Sequence, residues 1–275
     1  MKKLSKIIAV ALTLSSLVIT GCSSKQANTT NNEEDNKIVI GVSPTPHEPI
    51  INNLLPKFKE AGLEVEVKTF NDYVQPNIAL NDGDLDANYF QHQPYLEQFN
   101  KDHGFNLVSI GSVHLEPLGA YSTKIRSLDE LKEGDEVLIP NDPSNSARAL
   151  VLLEQNGLIK LKNKGDIKST EKDIVENKKN LKITAVDAPV IPTAYNDVAI
   201  GIINSNYAIS ANIDPSTALF RESGDNNPYA NLVAVKEENK DKPKFKKFME
   251  ILQSADSEKF INDKFKGEII PAFSK

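Results

Sequence analysis

The stretch DANYFQHQPY, residues 86–95, carries three aromatics, one histidine, two glutamines and an asparagine. It is too polar for a core strand and too aromatic for a surface loop, so it could form a metal site, a catalytic loop or one wall of a small-molecule pocket. Similar side chains recur at the ends of other apolar runs. Asn71, Asp72 and Tyr73 follow LEVEVKTF; Phe90, Gln91 and His92 follow LDANY; His114 and Glu116 follow FNLVSIGSV. Asp142 to Arg148 follow EVLIPN, Asn204 and Tyr207 follow VAIGII, and NNPYAN ends on Asn231. Apolar faces with a few oriented amides, imidazoles and one guanidinium are the usual make-up of a small-ligand pocket. Arg148 stands near the start of the apolar-patterned run ARALVLLEQ. There its planar fork, together with the N–H groups of a helix start, suits a carboxylate. Alone it would equally suit a surface arginine paired with any acid; its company favours the pocket.

Other chemistries are weaker. His92, His103 and His114 are spaced by eleven, which matches no helix or strand period, and His103 precedes a helix-stopping glycine. His47, in SPTPHEP, could face either a cleft or solvent. The acids of NDGDLDAN resemble a calcium loop, but Ala87 stands where the loop needs glycine and Gln93 where it needs glutamate. No phosphate loop, GxGxxG or G-x-S-x-G motif is present, nor a serine and histidine set side by side. No cofactor, resident metal or catalytic residue is expected.

The elements that must hold these loops alternate between strand and helix patterns. KIVIGVS, LEVEVKTF, LDANYF, FNLVSIGSV, PLGAYS, EVLIPN, LKITAV, VAIGIIN and ANLVAVK read as strands. PIINNLLPKFKEAG, PYLEQFNKDHG, SARALVLLEQNG and two C-terminal segments read as helices, with Pro56 expected to kink the first or delay its start. Ser127 and Glu130 have the spacing of a capping box. The alternation predicts an α/β fold with mostly parallel sheets. Turn-rich stretches near 120–131 and 220–233 divide it into a discontinuous first lobe, 37–122 plus 229–275, and a continuous second lobe, 123–228. The ligand cleft then lies between them, beyond the strand ends.

Before the folded part, Lys2, Lys3 and Lys6 precede an apolar run of signal-peptide length, and Ile19-Thr20-Gly21-Cys22 resembles a bacterial lipobox. Residues 1–21 read as a signal peptide, Cys22 as the lipidated residue, and 22–36 as a polar tether. Cys22 is the only cysteine, so no internal disulfide is possible. Removing residues 1–21 takes away three lysines and no acid, and carries the formal net charge from −6 to −9. An acidic surface without a basic patch argues against nucleic acid.

Three long motifs carry a resemblance: TFNDYVQPNIALNDGDLDANYFQHQPYLEQ, HLEPLGAYSTKIRSLDELKEGDEVLIPNDPSNSARALVLLEQNGLIKL, and NSNYAISA followed by NPYANLVAVKEENKDK. In order and spacing they are similar to the NlpA-type methionine-binding lipoproteins, from about Lys37 to the C-terminus. The resemblance implies a two-lobed periplasmic-binding-protein fold. It implies a receptor, anchored by lipid on the outer face of the cell membrane, that passes L-methionine, or else D-methionine or a methionine-containing dipeptide such as Gly-Met, to an ABC permease and its ATPase subunit. It implies a monomer and no enzyme. Residue by residue, Tyr73 and Phe90 resemble the walls around the thioether, and His92 a polar wall residue. Arg148 resembles the clamp on the α-carboxylate, and Asn204 and Asn231 the asparagines that bond the amino-acid backbone. His114 and Glu116 lie in a segment that varies in the family; Glu116 is placed to balance the ammonium group. Asn227 and Ala230 depart from the family's usual serine and valine around PYVN. The rival readings are a metal-ion receptor using His92, His114 and Glu116, a surface adhesin, and a lipoprotein enzyme.

Overall fold

The computed structural model describes residues 36–224 and 227–273; the signal segment, Cys22 and nearly all of the tether lie outside the described residues. The chain begins with strand β1 (Lys37–Val42), helix α1 (His47–Glu60), β2 (Glu64–Thr69), α2 (Gln75–Asp82), β3 (Ala87–His92), α3 (Gln93–His103) and β4 (Leu107–Leu115). Then come β5 (Gly119–Tyr121), β6 (Glu136–Pro140), α4 (Pro143–Gln155), the short pair β7 (Lys160–Leu161) and β8 (Ile174–Glu176), and β9 (Lys182–Val186). The remainder is α5 (Ile191–Ala194), β10 (Ile200–Ile203), α6 (Ser205–Ser210), β11 (Phe220–Arg221), β12 (Ala230–Lys236), α7 (Pro243–Leu252), α8 (Ala255–Phe265) and β13 (Ile270–Pro271).

Two sheets organise these elements. The first has the order β13-β4-β12-β3-β1-β2 and the second β11-β5-β10-β6-β9. Each is mixed. β1 is parallel to β2 and β3, but β12 runs antiparallel between β3 and β4. β6 is parallel to β9 and β10, but β5 is antiparallel to β10. The expectation of mostly parallel sheets therefore fails at the strands that carry the chain between sheets. The first crossing sits earlier than the expected boundary after residue 122, while the return contains the expected one after residue 228. β5, at 119–121, already belongs to the second sheet. The chain thus leaves the first sheet after Leu115, along Glu116-Pro117-Leu118, and returns between β11 and β12.

Burial explains why the elements hold. β3 is buried along its whole length, as a central strand covered on both faces must be. The edge strand β2 alternates between exposed and half-buried positions. On one face of the first sheet, Ile50, Ile51, Leu54 and Phe58 of α1 meet Phe245, Phe248 and Leu252 of α7 around Ile38, Ile40 and Val42. In the second, Leu150, Leu152 and Leu153 of α4 pack on Val137, Ile139, Ile200 and Ile202. α1 runs through Pro56. That residue lies on the exposed face, where the carbonyl left unbonded by proline meets water. The capping box at Ser127 does not form. Residues 128–130 make one short 3-10 turn with no side-chain cap. Among the described residues no helix is long and apolar enough to cross a membrane.

Candidate functional site

The cleft between the sheets collects side chains from strand ends on both sides. Tyr73 follows β2, Phe90 and His92 end β3, Tyr95 lies in α3, and Asn231 lies on β12. Glu116 stands on the crossing itself. From the second sheet come Asn145 and Arg148 of α4, Asn204 after β10, and Ser205 and Asn206 at the start of α6. Together with Gln91 they line one cavity with about 340 Å3 of atom-free space, its mouth included. Of the eight ligand residues expected from sequence, seven line it; His114 does not, and stands buried behind Glu116.

One side of the cavity is aromatic. The Tyr73 ring lies 5.9 Å from Phe90, 5.9 Å from Tyr95 and 5.0 Å from Tyr207. Tyr95 donates its hydroxyl to the Tyr73 carbonyl at 2.9 Å, which fixes the loop after β2. The Tyr73 hydroxyl in turn donates to Asn206 Oδ1 at 2.6 Å, tying the first lobe to the second. Burial pushes the Tyr73 phenol well above its ordinary range, so it stays a neutral donor.

Arg148 occupies another side, 3% exposed. Its Nε donates to Glu222 Oε1 at 2.8 Å and its Nη2 to Glu222 Oε2 at 2.5 Å. Nη2 also reaches the Glu116 carbonyl at 2.7 Å, and the guanidinium carbon lies 4.3 Å from the centre of the Tyr229 ring. Burial opposes the charge, but Glu222 outweighs it and raises the pKa further. Three contacts fix the plane of the guanidinium. Glu222 Oε2 also accepts the Leu118 N–H at 2.9 Å and Asn227 Nδ2 at 3.2 Å. One carboxylate thus binds the arginine and both chain crossings.

Glu116 is handled differently. Its Oε1 lies 2.8 Å from His114 Nε2 and 3.2 Å from His47 Nε2. His47 Nε2 is also 3.0 Å from Asn231 Oδ1. The Tyr89 hydroxyl bonds His114 Nδ1. Burial drives His47 down to about 4 and His114 down to about 3, so both rings are neutral at pH 7. Burial raises Glu116, opposed by His47, Arg148 and the Asn206 backbone N–H. His47, left open by the sequence, is thus buried and bonded to two cavity residues 69 and 184 positions away.

Between these groups runs an amide relay. Asp142 caps α4, accepting the Asn145 N–H at 2.9 Å and both its carboxylate oxygens accept Asn145 Nδ2. Asn145 Oδ1 then faces the cavity and accepts Asn204 Nδ2 at 3.0 Å. His92 caps α3, its Nδ1 accepting the Tyr95 N–H, which leaves Nε2 as the donor to Asn145 Oδ1 at 3.2 Å. Burial, with Arg148 adding to it, drives His92 down to about 3.

His103 is exposed and stacks on Phe99 at 4.1 Å, away from the cavity. Among the described residues the one group arranged to hold a metal ion is His47, His114 and Glu116, whose ligating atoms lie within 4.8 Å of one another. It includes His47 where the sequence suggested His92. Those atoms are already hydrogen-bonded to each other. Sequence reasoning missed Tyr95, Asn145, Asn206 and Glu222 as site residues. Asn145 and Asn206 were legible as cap-position neighbours of Asp142 and Asn204; nothing local marks Glu222.

Residues 38–273 match the protein family described as NlpA lipoprotein. The chain is 42% identical over 269 residues to the D-methionine-binding lipoprotein MetQ of Salmonella typhi, covering 96% of this chain and 97% of that one. Among solved structures it is similar to a nutrient binding protein from Burkholderia cenocepacia bound to methionine. The two are 44% identical with a TM-score of 0.82, covering 86% of this chain and 100% of that one. It is likewise similar to an ABC transporter periplasmic substrate-binding protein from Coxiella burnetii, 42% identical with a TM-score of 0.81, at 86% and 100% coverage.

Proposed function

The chain belongs to the NlpA lipoprotein family, and on that premise we propose that it is the substrate-binding lipoprotein of an ABC importer. Its ligand is L-methionine, with D-methionine or a methionine-containing dipeptide such as Gly-Met as the alternatives, held between the two lobes. The observation that carries this reading is the chemistry of the cavity walls: a buried guanidinium, a buried carboxylate and an aromatic wall around one shared cavity. Such a site complements a zwitterion with an apolar side chain. The thioether lies against Tyr73, Phe90 and Tyr95, where sulfur–ring contacts are favourable. The carboxylate meets Arg148, the ammonium meets Glu116, and Asn204, Asn231 and His92 bond the backbone atoms. His114 acts from behind Glu116.

The ligand is captured and released unchanged. Cys22 carries the lipid, residues 23–36 act as the tether, and a monomer delivers the ligand to a membrane permease driven by its ATPase. The lobes close by a hinge at the two crossings, and the Tyr73–Asn206 bond belongs to the closed form. To test the reading, the mature protein is purified without added ligand and denatured, and released small molecules are identified by mass spectrometry. Methionine or a methionyl dipeptide near one per protein is the expected result; an unrelated small molecule in its place would refute it. A metal-ion receptor is the second reading, favoured by the grouping of His47, His114 and Glu116. Stoichiometric zinc or manganese in elemental analysis would select it.

A further inference from the structure

We propose that Asn227 is a positioning residue that, through Glu222 and Tyr229, sets how strongly Arg148 takes a ligand carboxylate. The two ends of one side-chain amide govern the countercharge and the aromatic face of the same guanidinium. This rests on the reading of the cavity as a methionine site, and names a residue outside that cavity on which recognition of the carboxylate depends.

Asn227 is half-buried on the return crossing. It lines no part of the cavity, and neither do Glu222 and Tyr229. Its Nδ2 donates to Glu222 Oε2 and to the Ser223 carbonyl, each at 3.2 Å. Its Oδ1 accepts the Tyr229 N–H at 2.9 Å. The partners fix which end of the amide is which, since two acceptors face the nitrogen and one donor faces the oxygen. Held in this way, Tyr229 places its ring 4.3 Å from the Arg148 guanidinium carbon and 5.0 Å from the His92 ring. Tyr229 is itself buried and thus packs behind two side chains that do line the cavity.

On this reading Arg148 serves two carboxylates. Its Nε and Nη2 are taken by Glu222 and the Glu116 carbonyl, which leaves Nη1 for the ligand. A second carboxylate beside Glu222 is tolerated to the extent that Glu222 is stabilised by donors other than the arginine. Two neutral donors do this at Oε2: the Leu118 N–H from the first crossing and Asn227 Nδ2 from the return. The Leu118 donor is backbone, and its residue is held further by the Glu222 N–H donating to the Leu118 carbonyl at 3.0 Å. Asn227 is therefore the side chain through which the pair is tuned. The Tyr229 face favours the cation without adding a second negative charge. Loss of Asn227 draws the guanidinium toward Glu222 and frees the ring that covers it. A charged carboxylate on Nη1 senses both changes, whereas a neutral group there senses little.

The test is calorimetry on the mature protein with L-methionine and L-methioninamide, in which a neutral amide replaces the carboxylate. The wild type is expected to prefer the acid by at least about a hundredfold. Asn227→Ala removes both routes and is expected to weaken methionine by about fivefold. Asn227→Asp keeps an acceptor for the Tyr229 N–H but sets a like charge beside Glu222, and is expected to weaken methionine by about tenfold or more. Methioninamide is expected to change by about twofold or less in both variants. A side chain that only held the crossing in shape would weaken acid and amide alike. Equal losses for the two ligands, or an unchanged methionine affinity in both variants, overturn the proposal and leave the methionine reading intact. A smaller loss in Asn227→Asp than in Asn227→Ala overturns the route through Glu222. Failure of the wild type to bind either ligand overturns the functional reading and the proposal together.

Discussion

The two buried charges of the cleft are stabilised in opposite ways. Arg148 has a full countercharge in Glu222, held in a two-point fork. Glu116 has two neutral imidazoles and a backbone N–H. The first arrangement has its countercharge within the protein and also ties the two lobe crossings together. The second is completed by a ligand. A binding site needs both: one charge locked so that the lobe crossings keep their shape, and one left for recognition.

The comparison breaks most easily at Glu222. Glu222→Ala leaves a buried guanidinium unpaired and frees both crossings, and is expected to cost roughly 3–5 kcal/mol of stability. Glu116→Gln, by contrast, removes a carboxylate whose pKa burial has raised. For an acid raised in the folded state, stability falls as pH rises from the unfolded pKa through the folded one. The glutamine variant is therefore expected to melt no lower than wild type at neutral pH without ligand. Thermal melts of the two variants side by side check this; similar losses in both would erase the distinction.

Arg148→Ala comes next for binding. Losing the partner of a buried carboxylate is expected to weaken methionine by about a hundredfold or more, measured by calorimetry; unchanged affinity would remove Arg148 from the site. Acid acts on the whole network. His47, His92 and His114 have folded pKa values of about 4, 3 and 3, depressed below an unfolded value near 6.5. Below 6.5 the unfolded chain binds more protons than the folded one. Stability is fully present above that value and declines as pH falls toward 4, by on the order of a few kcal/mol. A melting temperature flat between pH 7 and 4.5 would contradict the burial of these rings. The smallest effect is expected for Tyr73→Phe. It deletes one neutral bond between lobes and is expected to cost about 1 kcal/mol, about fivefold in methionine affinity.

Much of this was legible in the sequence, because strand ends advertise themselves. Phe90, His92, Arg148 and Asn204 each follow a run of apolar or alternating residues, and each lines the cavity. What the sequence hid is whatever depends on distant partners. His47 meets Asn231 across 184 positions. Glu222 lies in the turn-rich stretch FRESGDNN, where no periodicity marks it, yet it holds the arginine. His114 shows the converse. Its residue type suggested a ligand contact, while its place in β4 turns it into the core behind Glu116.

The most direct test of the account is a crystal structure of the protein grown with L-methionine. The thioether is expected against Tyr73 and Phe90, the carboxylate on Arg148 with the Glu222 pair intact, and the ammonium on Glu116 with both histidines in place. A methionine bound with its ammonium turned away from Glu116, or a metal ion seated among His47, His114 and Glu116 in its place, would contradict it.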